Sequence, residues 1–210
     1  MNIDSFVAPA IGFGILLLSL TIHEAAHAWT ADKLGDPTAR RLGRVSMNPL
    51  VHIDPIGTVL LPLIAAFSHL PLIGWAKPVP VDVRNLRHHR RDFMLVAAAG
   101  PISNILQAIV AAIVLRVVLA AQSAGDVPLI AQVLVQFMQI NLLLAFFNLI
   151  PVPPLDGGNV MLGLLPPRLA ATYSQLRQYG FLVLYALLLT GIASRLIFPP
   201  TEFFLRVLLP

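Results

Sequence analysis

Five apolar runs, each about as long as a bilayer is thick, constrain this chain more than anything else in it. A helix rises 1.5 Å per residue, so a hydrocarbon core of about 30 Å takes about 20 apolar residues. Runs of that kind occupy Val7–Ala31, Ile56–Trp75, Met94–Ala121, Leu129–Ile150 and Gly180–Phe198. Composition agrees: of 210 residues, 57% are apolar and 11% charged, against about 25% charged in a soluble domain. A globule of this size would lack the charged surface to stay in water. That excludes a cytosolic enzyme and a disordered chain, and leaves an integral, multi-pass membrane protein in contact with a lipid bilayer. The absence of cysteine excludes a disulfide scaffold, a thiolate metal site and a cysteine nucleophile. The net charge of +4 would suit nucleic acid in a soluble protein. In a membrane protein such an excess sets orientation instead, and no nucleic-acid partner is expected. The first run lacks a basic leader and a small-residue cleavage site, so it reads as a span and not as a removed signal peptide. With no internal repeat, residues 1–210 read as a single membrane-embedded domain.

The basic residues sort the loops. Four (Lys33, Arg40, Arg41, Arg44) follow the first run, five (Lys77, Arg84, Arg87, Arg90, Arg91) follow the second, and two (Arg168, Arg177) lie between the fourth and fifth. Together they are 11 of the 14 Lys and Arg. The N-terminal stub and the loop Gln122–Pro128 have none. The positive-inside rule therefore puts the three basic loops in the cytoplasm and the N-terminus outside. Both neighbours of Ile56–Trp75 are basic, so a full crossing there would expel one of them. Pro62 and Pro71 also interrupt that run, each removing a helical hydrogen bond. The expected fold is an all-α polytopic membrane protein with about four full transmembrane helices. A re-entrant or hairpin segment at Ile56–Trp75 and a small β element near the cytoplasmic side complete it. An ordinary span at Ile56–Trp75 is the alternative. Phe203–Leu209 reads as a short apolar tail at the interface.

Inside the first run stands Thr21-Ile22-His23-Glu24-Ala25-Ala26-His27. Histidines at i and i+4 share one helical face, so both imidazoles can reach one ion, with Glu24 beside them. This is the HExxH zinc pattern, in which two histidines hold the metal and the glutamate acts as general base on a zinc-activated water. An acidic residue at the centre of a span costs roughly 2.5–3.5 kcal/mol on insertion scales, which favours a functional role over a buried hydrogen-bonded pair. Ala8 to His23 is 15 residues, about 22 Å of helix, so the pair lies about 7 Å from the cytoplasmic edge of a core of about 30 Å.

A catalytic zinc usually has three protein ligands, and Asp156 is the strongest candidate for the third. It closes Asn148-Leu149-Ile150-Pro151-Val152-Pro153-Pro154-Leu155-Asp156-Gly157-Gly158, just past the fourth run and so near the cytoplasmic edge. An even number of crossings must separate it from His23 and His27, and a re-entrant Ile56–Trp75 gives two. The prolines hold the approach extended and the glycines permit a sharp turn. Asp156 as a simple helix N-cap is the alternative. Asn148 offers an amide to orient a substrate carbonyl or support an oxyanion, or else a helix-packing hydrogen bond.

These residues resemble the site-2 protease family of intramembrane zinc metalloproteases, peptidase family M50. The resemblance rests on His23–His27 as HExxH and on Asn148–Gly158 as NxxPxPxLDG. Further support comes from Asn48–Thr58, Gly74–Val81 and Ala99–Asn104, which look like the family's short branch. It implies one Zn2+ per chain held by His23, His27 and Asp156, with Glu24 as catalytic acid/base. It further implies an endopeptidase that cleaves membrane proteins or peptides within or next to transmembrane segments, in regulated intramembrane proteolysis or in clearance. Larger members carry a PDZ domain or a cystathionine-beta-synthase pair, and this chain has neither. The short form points to a prokaryotic inner membrane, with the active site near the cytoplasmic face.

A helical substrate must unwind to be cut, and an unwound segment needs hydrogen-bond partners, which an exposed strand edge can supply. Lys77–Val83 alternates and carries Pro78 and Pro80, as an edge strand can; a plain loop is the alternative. His52 and Asp54 either position substrate or hold the first loop by hydrogen bonds, the latter being favoured. Two rival functions stand beside the protease: a non-catalytic membrane metal-binding protein, and a transporter. Transporters favour internal repeats and midplane sites, neither of which is evident here. Oligomeric state is not readable from the sequence.

Overall fold

The computed structural model describes residues 4–60, 64, 76–121 and 128–210. Three long apolar helices form its body: α1 (Asp4–Lys33), α3 (His89–Ala120) and α4 (Leu129–Asn148). The one-turn α2 (Thr38–Arg41) follows α1. After α4 come α5 (Asp156–Leu164), α6 (Pro167–Ser174), α7 (Gly180–Leu189) and α8 (Ile192–Leu208). The three long helices are each long and apolar enough to cross a membrane.

α3 is the central element, packing against α1, α4 and α5. Its buried face is a stripe of small residues: Ala97, Gly100, Ala108, Ala111 and Ala112. In lipid there is little hydrophobic force between helices, so close backbone approach over small side chains supplies the packing. Toward the end of α3 farther from its N-terminus, Ala108, Ala111, Ala112 and Leu115 interlock with Ala131, Met138 and Leu142 of α4. The expected tail Phe203–Leu209 is instead the last part of α8, and Phe204, Leu205 and Leu208 pack on this same cluster. A second cluster joins Ile150 and Leu155 to Leu184, Ala193 and Ile197, which seats α7 and α8 beside the end of α4.

Two expectations are corrected. Gly180–Phe198 is not one straight crossing. The chain bends by 72° between Pro167–Leu189 and Ile192–Leu208. The break falls at Gly191, whose φ of +72° is left-handed backbone that a side chain disfavours. The described residues thus hold three spanning helices, or four if the bent pair counts as one. Second, no strand occurs among the described residues. Residues 76–82 are extended, but Pro78 and Pro80 have no N–H to give a ladder. Several of the groups that could pair are taken by side chains: the Val79 N–H by Glu24, the Asp82 N–H by Asp36, and the Lys77 and Pro78 carbonyls by Arg44. The re-entrant reading of Ile56–Trp75 lies outside the described residues, apart from a π-type turn at Pro55–Leu60 and from Ile64.

The extended segment is held to the end of α1 by Asp36, which is fully buried. Its carboxylate accepts from the Thr38 hydroxyl, from Asn85 Nδ2 at 3.0 Å, and from the backbone N–H of Asp82 at 2.7 Å and of Thr38 at 3.1 Å. Burial pushes this carboxyl up, but those four donors outweigh it and hold the group below its ordinary value of 3.8. A lowered carboxyl stabilises the fold at every pH above the unfolded value, and that stability is lost as pH falls through the folded one. Asp36→Ala strands several buried donors and is expected to cost about 1–3 kcal/mol, read as a lower thermal midpoint in detergent at neutral pH. The gap between wild type and Asp36→Asn is expected to close as pH falls below 3.8.

Candidate metal centre

α1 carries His23, Glu24 and His27 toward its C-terminal end, and α3 runs antiparallel against it. The pairing follows the helical repeat. On α3, Val96, Gly100 and Asn104 are spaced i, i+4, i+8 and so form one face. Val96 faces His27, whose Nδ1 donates to the Val96 carbonyl at 2.7 Å. Asn104 faces His23, whose Nδ1 lies 2.6 Å from Asn104 Oδ1. Gly100 stands between them. A Cβ there would lie 2.3 Å from His27 Nε2 and 2.5 Å from His23 Nε2, so the absence of a side chain is what leaves room in front of both rings.

Asp156 arrives as the first residue of α5. The chain reaches it through Pro151–Pro154, with a cis Pro153–Pro154 peptide. Gly157 lets α5 press on the end of α4, since a Cβ would meet Leu149 O at 2.3 Å. Leu155 takes the N-cap position and Asp156 caps nothing. Its Oδ2 is buried and accepts no hydrogen bond. Instead it points at the two rings, 3.1 Å from His23 Nε2 and 3.3 Å from His27 Nε2, which are themselves 3.0 Å apart. Among the described residues, α3 and α4 are the long apolar helices between the two motifs.

The donor set fits a metal. Each histidine spends its Nδ1 on an oxygen of α3, so each turns Nε2 inward. Two imidazole nitrogens and a carboxylate oxygen then converge within about 3 Å, where they repel one another unless a metal ion or a proton lies between them. Ligands about 2.0 Å from a tetrahedral ion sit about 3.3 Å apart, close to the three separations seen. His23 and His27 are 3% and 8% exposed, so water can replace the cation only poorly.

The site opens on a cavity of about 620 Å³ walled by His23, Glu24, His27 and Asp156, with Asn148, Val79 and Arg177 among its further lining. Glu24 Oε2 accepts the Val79 N–H at 3.2 Å. Asn148 donates its amide to Leu144 O at 3.0 Å, one turn back on α4, while still lining the cavity. His52 is not part of that wall. It is 2% exposed, its Nε2 pairs with the Ser46 carbonyl at 2.9 Å, and its own carbonyl accepts from Lys77 N. Asp54 caps the following turn through Ile56 N and Gly57 N. Sequence reasoning used Gly100 and Asn104 only within the resemblance of Ala99–Asn104 and Arg44 only as a loop charge, and it passed over Asn141. Asparagines deep in apolar runs are the same kind of signal that the histidines gave.

The sequence model of peptidase family M50 matches residues 116–191, a stretch that contains Asn148 and Asp156. "Putative zinc metalloprotease YwhC" of Bacillus subtilis (strain 168) is 40% identical over 191 residues, covering 88% of this chain and 82% of that protein. "Putative zinc metalloprotease Rip2" of Mycolicibacterium smegmatis is 31% identical over 183 residues, covering 87% of this chain and 68% of its own length. No solved structure matches.

Gly100→Ala tests the centre directly. Alanine favours a helix over glycine by about 1 kcal/mol, so helix content by circular dichroism is expected to hold. Bound metal, measured by elemental analysis of the purified protein, is expected to fall by at least about tenfold, because the methyl group fills the space before both Nε2 atoms.

Proposed function

The chain belongs to peptidase family M50, the site-2 protease family, and from that premise we propose that it is a zinc endopeptidase cutting peptide bonds within or beside transmembrane segments. The observation that carries the reading is the meeting of His23, His27 and Asp156 at 3.0–3.3 Å, with Glu24 on the wall of the same cavity. A metal held only to tie helices together would need the three ligands but neither a cavity of substrate size nor a carboxylate beside it.

His23 and His27 through Nε2, and Asp156 through Oδ2, would hold one Zn2+ per chain. When bound, zinc polarises a scissile carbonyl and lets water attack near pH 7. Glu24 takes the proton from the attacking water and delivers it to the amine nitrogen as the C–N bond breaks. The Val79 N–H holds Oε2 of that carboxylate, which leaves Oε1 to turn toward the water. Arg44 keeps Val79 in place by gripping the carbonyls of Lys77 and Pro78. Asn148, one amide hydrogen spent on Leu144, has a second to offer a carbonyl oxygen of the substrate. The substrate is a membrane protein or peptide whose helix has unwound locally, and its cleavage serves regulated proteolysis or clearance. Charge in the loops supports a cytoplasmic-side site with the N-terminus outside, and the short form and the bacterial relatives support a prokaryotic inner membrane.

The test is cleavage of an unfolded or membrane-span substrate by the detergent-solubilised chain, with zinc content read on the same samples. Glu24→Gln is expected to retain zinc and to cleave at least about 100-fold more slowly. Equal cleavage by wild type and Glu24→Gln would remove the glutamate from the mechanism. Zinc retained with no cleavage by either protein, across several substrates, would make this a structural metal site.

A further inference from the structure

A histidine can bind a metal through Nε2 only while its proton sits on Nδ1, and for His23 the group that decides this is a side-chain amide. Asn104 could present either its oxygen or its NH2 to the ring. With the oxygen, His23 Nδ1 is the donor and Nε2 is free; with the NH2, the ring is driven into the opposite tautomer. His27 has no such ambiguity, since its partner is the Val96 carbonyl. The question is what prevents the Asn104 amide from turning round.

The answer lies two links away. Asn141 of α4 places its Nδ2 at 2.9 Å from the backbone carbonyl of Phe137 and at 2.9 Å from Ser19 Oγ of α1. A backbone carbonyl accepts and never donates, so the NH2 of Asn141 must be the group facing Phe137. Its Oδ1 is therefore the atom facing Asn104. That oxygen also can only accept, and the group 2.8 Å from it must be the Asn104 NH2. Asn104 Oδ1 is then left for His23 Nδ1, at 2.6 Å. Every step is forced by donor and acceptor accounting. Ser19, Asn104 and Asn141 are all 0% exposed, so water cannot stand in for a member that has flipped.

We propose that Asn104 and Asn141 are positioning residues acting in series: Asn141, anchored on the Phe137 carbonyl, sets the orientation of the Asn104 amide, which sets the tautomer of His23 and presents its Nε2 to the metal. The relay joins α1, α3 and α4 and returns to α1 at Ser19, one turn before His23. The inference rests on the metal reading of the site given above.

The experiment is Zn2+ affinity, measured on the detergent-solubilised full chain by competition with a chelator. Helix content is checked in parallel. Outer partners of a ligating histidine typically change metal affinity by about 10–100-fold. Asn104→Leu is expected to weaken Zn2+ by that factor, and Asn141→Leu by about tenfold or less, because Asn104 then still adopts the right orientation part of the time. A serial relay makes one distinctive demand: the double variant binds no more weakly than Asn104→Leu alone. Asn104→Asp, neutral in this water-free setting, keeps an acceptor for His23 and an O–H donor for Asn141 Oδ1, and is expected to stay within about tenfold of wild type. Losses that add in the double variant overturn the series. An Asn104→Asp protein as weak as Asn104→Leu reduces both asparagines to packing. Wild type that fails to bind Zn2+ overturns the metal reading itself, an outcome that the variant comparisons cannot imitate.

Discussion

The close approach of α1 and α3 at Gly100 is the contact on which the rest of the structure depends. Two helices that meet over a missing side chain bring the Val96 carbonyl and the Asn104 amide within reach of the two imidazoles. They also leave a space before both Nε2 atoms that any Cβ would fill. Asp156 then needs only to be delivered into that space, which the proline-rich approach and the glycines at the head of α5 accomplish. Packing by small residues, hydrogen bonding by buried asparagines and convergence of the three ligand atoms are consequences of one helix face in register with another.

The candidate ligands were legible in the sequence, two by local spacing and one by its position. His23 and His27 sit at i, i+4 with Glu24 between them, and Asp156 stands out against an apolar background after a run of prolines. The long helices were legible from hydropathy, with ends a few residues from those observed. Other features were not, for physical reasons. A hydropathy window reads through Thr190 and Gly191 because both neighbours are apolar, and nothing in it registers that Gly191 takes a positive φ. Alternation in Lys77–Val83 suggested a strand, but a strand exists only where a partner offers backbone groups. Here the offers come from the side chains of Arg44, Glu24 and Asp36. The pairing of Asn104 with Asn141 joins residues on two different helices, which no local pattern encodes.

The segment 76–82 has a larger part in the site than a connecting loop would suggest. It forms one wall of the cavity, holds one oxygen of Glu24, and is itself held at three points: His52 O and Arg44 on one side, Asp36 on the other. Arg44 and Asp36 are both buried, and their bonds to this segment go to its backbone atoms, so they fix its course without engaging its side chains. His52, expected beside the substrate or in the loop, contributes to this anchoring through its carbonyl.

The ligand set is also distributed along the chain in a consequential way. His23 and His27 belong to the first helix, whereas Asp156 belongs to the turn after the third long one. A chain emerging from the ribosome therefore carries two of the three groups through the synthesis of everything between. Glu24 stands beside two histidines that have nothing to complete them until α3 and α4 have entered the bilayer and α5 has docked. Assembly order thus decides when the three groups can meet: the cluster does not exist until the last of them is in place.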